Sequence, residues 1–234
     1  MTTAQRTRRQ IAGVSMVLAP LLLLVSAIVQ PSLKDSTLAQ LAVISENLDA
    51  WFTASAIGLA ALALAVPAIL GLMHMLRERQ AAAGMIGGAL ALVGVLAAVG
   101  TIALNMVQWE LMRFGVPIPE ATAVITDLRN VAGIEIPFLI LPFAFALGMI
   151  VLSVGLAVAR AVNPVMALLI AAGATGAIVG YGISSVTLVI IAAAVLLVGL
   201  GSTGLYVLRE TDEQWEHTPE FHGFRPTTGP PAGA

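Results

Sequence analysis

The sequence predicts an all-α, polytopic transmembrane helix bundle of about six spans with both termini in the cytoplasm. Three observations predict it. Of the 234 residues, 59% are hydrophobic and only 10% charged, and the mean hydropathy is +0.96. A soluble domain is roughly 45–50% apolar and about 25% charged, so this chain has too few polar side chains to cover a water-facing globule. The apolar residues fall into six runs near the length of about 20 that a helix needs to cross a hydrocarbon core of about 30 Å. The third observation is that the Lys and Arg residues divide unevenly between alternate connections, as the positive-inside rule requires. Together these exclude a soluble enzyme, a nucleic-acid binder and a disordered chain. The lack of cysteine also excludes disulfides, thiolate metal sites and thiol nucleophiles.

The first run, 11–29, follows a basic cytoplasmic segment, 1–10, that carries Arg6, Arg8 and Arg9. It ends in Gln30-Pro31 without a small-x-small cleavage pattern, so the expectation is a retained signal anchor. The remaining spans are expected at 51–76, 81–107, 133–159, 164–181 and 185–208, giving a transmembrane domain over 11–208. With the N-terminus inside, the inner side holds Arg6, Arg8, Arg9, Arg77, Arg79, Arg160, Arg209 and Arg225, against Lys34, Arg113 and Arg129 outside. That bias suits the plasma membrane of a bacterium. Trp51 and Trp109 are expected at the outer headgroup level, where amphipathic rings collect. Gly182, Ile183 and Ser184 leave room only for a tight turn, so the last two spans form an antiparallel hairpin.

Two outer connections have patterns of their own. In 36–48, the capping residues Asp35-Ser36-Thr37 precede Leu38, Leu41, Ile44 and Leu48 at roughly helical spacing. In 119–131, two prolines precede Glu120 and then Val124, Ile125, Leu128 and Val131. Each is a short amphipathic surface helix or an extension of the span that follows. The segment 209–234 begins acidic and ends in Pro and Gly, a composition expected to remain a disordered cytoplasmic tail.

Four prolines lie within spans. Pro20, Pro67, Pro137 and Pro142 are candidate kinks, each freeing a carbonyl four residues earlier, at Met16, Ala63, Gly133 and Phe138. In lipid those oxygens need another donor. Small residues at Gly84-x-x-x-Gly88, at Gly176-x-x-x-Gly180, and at Gly199, Gly201 and Gly204 favour close helix packing without naming a dimer face.

An ionisable group at the bilayer centre would signal function. Counted from Arg79, Asn105 lies about 39 Å along a helix, and Glu135 lies about 38 Å from Arg160, so both reach the outer boundary. No charge falls at mid-span. His74 is the one histidine within a span, and its neighbours Met73 and Met75 point to other sides of the helix, so neither metal nor other cofactor is expected. No hydrolytic motif or phosphate loop occurs, and the chain reads as a non-enzyme.

What remains is an outer cluster. Thr101, Asn105, Gln108 and Met112 share one face of the third span, with Trp109, Glu110 and Arg113 beside them and Glu135 before the Pro137 kink. Asn105, Gln108, Trp109, Glu110 and Glu135 are the candidate ligand-binding residues, unless they only anchor helix ends to headgroups. With Glu46-Asn47-Leu48-Asp49-Ala50-Trp51 leading into the second span and Gln108-Trp109-Glu110 ending the third, the chain resembles small uncharacterised multi-pass membrane proteins of actinobacteria. The resemblance implies no activity. Two functions follow from the residues. One is binding of a lipid-like or hydrophobic ligand, or a partner protein or second copy, through an outer-leaflet cavity or helix faces. The other is a small-solute transporter or permease built on the proline kinks and the outer polar cluster. Membrane lipids are the expected partners, and nucleic acid is not.

Overall fold

Apolar length and turn chemistry set the elements. The computed structural model describes residues 3–211 and 215, and all regular structure among them is helical. The order is α1 (Thr3–Val29), α2 (Thr37–Glu46), α3 (Leu48–Leu76), α4 (Ala81–Arg113), α5 (Ile118–Asn130), α6 (Ala132–Glu135), a π-helical turn (Ile136–Ile140), α7 (Phe143–Val158), α8 (Pro164–Gly182) and α9 (Val186–Arg209). Six stretches are long and apolar enough to cross a membrane: Arg6–Val29, Leu48–Leu76, Ala81–Arg113, Ala132–Val158, Pro164–Gly182 and Val186–Arg209. The chain is an integral, multi-pass membrane protein.

Each long helix packs on the next in sequence, and α9 returns to pack along α1, so the six spans close a ring. An even number of antiparallel spans allows this closure. Ring contacts need close backbone approach, because lipid offers apolar side chains no reason to leave it. Gly94 and Gly148 supply that approach between α4 and α7: a Cβ on Gly94 would overlap the backbone of Phe145, and one on Gly148 the backbone of Ala91. Gly13 and Gly204 do the same where α1 crosses α9. Inside the ring lies an apolar core that includes Met16, Ile69, Leu72, Met149, Leu152, Leu156 and Ile170. Its central cavity, bordered by Pro20, Leu23, Ile69, Phe145 and Met149, measures about 20 Å³ and has an apolar lining. That is little more than the space of one water molecule, about 10–15 Å³.

The prolines behave in two ways. α1 and α3 remain helical through Pro20 and Pro67. Around Pro137 and Pro142 the fourth span is broken into α6, the π turn and α7, with Leu141 N–H donating to Ile136 O at 2.9 Å. The carbonyl of Phe138, which Pro142 cannot serve, accepts instead from Thr101 Oγ1 on α4 at 2.5 Å.

The start of α1 and the end of α9 come together at one end of the ring, here termed the basic end. Arg9 is buried, and its guanidinium donates to the carbonyls of Val207, Leu208 and Glu210, closing the C-terminus of α9 as a cation there should. The segment expected as a disordered tail, 209–234, starts here. Glu210 is buried, and Trp215 is 5% exposed with its ring stacked 4.6 Å from that of His74. Residues 212–214 and 216–234 of that segment lie outside the described residues.

Candidate functional site

α4 has 33 residues, which span about 50 Å at helical rise. A hydrocarbon core of about 30 Å leaves its last turns projecting beyond the opposite end of the ring. The apolar face of that projection must be covered, and α2 and α5 cover it. α2 is capped by Ser36, whose Oγ accepts from Ala39 N–H at 3.2 Å, and is separated from α3 by Asn47. α5 is separated from α6 by Val131. Both are helices in their own right, not extensions of the following spans. α2 packs on α5 and on α4, and a second apolar core forms from Leu41, Ile44, Trp51, Met112 and Ala121.

Four of the five predicted ligand residues belong to this capped end. Asn105 presents its backbone carbonyl to Trp51 Nε1 at 3.2 Å, and its Oδ1 accepts from Gln108 Nε2 at 3.4 Å. Gln108 is only 1% exposed, and its Oε1 meets no donor among the described residues. Trp109 lies tilted against Phe52, ring centroids 4.9 Å apart, under the guanidinium of Arg113 at 5.3 Å. The Nε1 of Trp109 is buried without an acceptor among the described residues. Glu110 faces outward and forms a two-pronged ion pair with Arg113, at 2.7 and 2.6 Å. The fifth residue, Glu135, is exposed at the end of α6, and no hydrogen bond joins its side chain to the other four.

Trp51, near the start of α3, is buried against α4, to which it is hydrogen-bonded.

Two residues of the cap escape the sequence reading. Gln40 is buried on α2; its Oε1 accepts from Lys34 N–H at 2.8 Å, while Nε2 has no acceptor among the described residues. A signal was present, because Gln40 lies four residues before Ile44 and so on the same helical face. Arg129 on α5 is half-buried with Nε unbonded, and its burial lowers the pKa of the guanidinium from the usual arginine value. No local pattern marks it.

No family model, curated protein or solved structure matches the chain. The chemistry of the site therefore rests on its atoms. Among the described residues, three buried N–H donors, on Gln40, Trp109 and Arg129, and one buried acceptor, on Gln108, lack partners, and they are distributed over α2, α4 and α5. A buried polar atom without a partner costs about 1–3 kcal/mol, so these four call for an explanation. Such a set suits an acceptor-rich head on an apolar body. Among the described residues, no three His, Asp or Glu side chains are grouped to hold a metal ion. Neither the central cavity nor the cleft at the basic end is lined by any of the five predicted residues.

Proposed function

We propose that the protein is a binding protein of a bacterial plasma membrane, not an enzyme, which holds a lipid-like amphiphile under the α2–α5 cap on the outer side. The observation that carries this reading is the set of unpartnered buried atoms on Gln40, Gln108, Trp109 and Arg129 inside a largely apolar cap. An ester or acidic head satisfies the three donors, and the Gln108 carbonyl takes a hydroxyl from the same ligand. The placement of seven of the ten described Lys and Arg at one side supports an outward-facing cap. Transport finds support in the broken fourth span, but the centre of the ring is apolar with room for about one water, which favours binding.

Native mass spectrometry of the protein from gently extracted membranes tests this. The wild type is expected to carry a small amphiphile that is depleted in Gln40→Leu and Gln108→Leu. Identical adducts in all three proteins, or none in any, would refute the reading.

A further inference from the structure

A second site lies at the opposite end. Between α1 and α3, a cleft of about 470 Å³ opens at the basic end, within the range of about 300–1,000 Å³ usual for small-molecule sites. Its polarity is graded along the helix axes. Arg8, His74 and Arg77 stand at the rim, while Ile11 is one turn deeper on α1, and Leu70 and Pro67 are one and two turns deeper on α3. From His74 to Pro67 is seven residues, about 10 Å of apolar wall below the basic groups.

Trp215 closes one side. His74 Nε2 lies 3.0 Å from Trp215 O, and Arg77 Nη1 contacts both ring nitrogens, Nδ1 at 2.9 Å, so the ring ties the tryptophan to the arginine. Ile11 is 51% and Leu70 49% exposed, so the cleft is open sideways to lipid as well as to its rim. Arg8 is exposed and makes no hydrogen bond or ion pair among the described residues.

We propose that this cleft binds one anionic phospholipid of the adjoining leaflet, its phosphate held between Arg8 and Arg77 and an acyl chain lying on Ile11, Pro67 and Leu70. Guanidinium forks match phosphate oxygens in pairs, and basic pockets between spans are suited to acidic headgroups. A zwitterionic lipid would bring an ammonium group to a rim that is already cationic. A free phosphate ester would leave the apolar wall unused. The site does not rest on the cap or its ligand.

The test is native mass spectrometry of the full-length chain released from nanodiscs of phosphatidylglycerol and phosphatidylcholine in equal parts. Retention of phosphatidylglycerol is expected to exceed that of phosphatidylcholine by about tenfold, and Arg8→Gln to lower it about fivefold. Leu70→Trp, which fills the cleft without changing charge, should lower it as much, whereas Arg160→Gln, at the same end but away from the cleft, should not. Gln108→Leu should also leave it unchanged, which separates this site from the cap. Equal retention of the two lipids overturns the proposal, as does a preference that survives both Arg8→Gln and Leu70→Trp or falls equally in Arg160→Gln. Millimolar glycerol phosphate should not displace the lipid; displacement would make the site one for a soluble phosphate ester.

Discussion

Thr101 shows how one side chain settles a backbone problem inside a membrane. Pro142 leaves the Phe138 carbonyl without its usual helical donor, and Thr101 Oγ1 on the neighbouring helix supplies one at 2.5 Å. Replacing it by the isosteric valine removes only the hydroxyl. Thr101→Val is expected to destabilise the protein by about 1 kcal/mol, near 2–4 °C in melting temperature for a chain of this size, with Thr101→Ser close to wild type. An unchanged melting curve for Thr101→Val in detergent would show that the π turn does not depend on this bond. Glu210 makes the second local case. Burial raises its pKa from 4.5 to about 7, against the opposing pull of the Arg9 charge and the Tyr206 hydrogen bond. Because the folded protein holds this proton more tightly than the unfolded chain, its contribution is full below about pH 4.5 and is lost as pH rises through about 7. Melting temperature should therefore fall between pH 5 and pH 8, by the equivalent of about 1–3 kcal/mol, and Glu210→Gln should remove that step. A wild-type profile that is flat or rises across the same interval would contradict it.

The cap helices are stabilised by one another more than by their own length. α2 has 10 residues and α5 has 13, too short to be firmly helical alone in water, where about 12–15 residues is marginal. Their order depends on the second apolar core, in which Leu41 and Ile44 are fully buried. Ile44→Ala, at a cost of about 2–5 kcal/mol, should release α2 and α5 together. Hydrogen exchange is expected to show both losing amide protection while α8 and α9 keep theirs; retained protection in α5 would mean that the two helices are independent. The sequence made the existence of α2 legible through Ser36 and the spacing of Leu41 and Ile44, but not its buried face. Leu38 is exposed and Gln40 is buried, because the positions of α4 and α5 decide which side of α2 is covered. The break in the fourth span was half-legible in the same way: two prolines announce a lost bond, and nothing local announces that Thr101, 37 residues away, replaces it.

For the whole molecule, apolar run length alone made the six spans visible, since every candidate stretch begins and ends within a few residues of a charged, turn or capping position. Ring closure was not visible, because contacts between α1 and α9 join residues nearly 200 apart and leave only small residues such as Gly13 and Gly204 as a trace. The packing of Trp215 on His74 is as remote, across 141 residues. One global property ties both proposed sites to the cell: the proposals require the cap to face outward and the basic end inward. Arg6, Arg8, Arg9, Arg77, Arg79, Arg160 and Arg209 belong to the end where Arg9 meets α9, while Lys34, Arg113 and Arg129 belong to the capped end. Reversal would carry seven cations across the membrane in place of three, which the positive-inside rule disfavours. The absence of native cysteine makes this directly testable with single introduced thiols. Glu120→Cys, exposed on α5, should react with a membrane-impermeant maleimide in intact bacterial cells, and Ala81→Cys, exposed at the start of α4, only after permeabilisation. The opposite labelling pattern would place the amphiphile site on the cytoplasmic face and the phospholipid cleft in the outer leaflet, and equal labelling of both positions in intact cells would break the six-span topology itself.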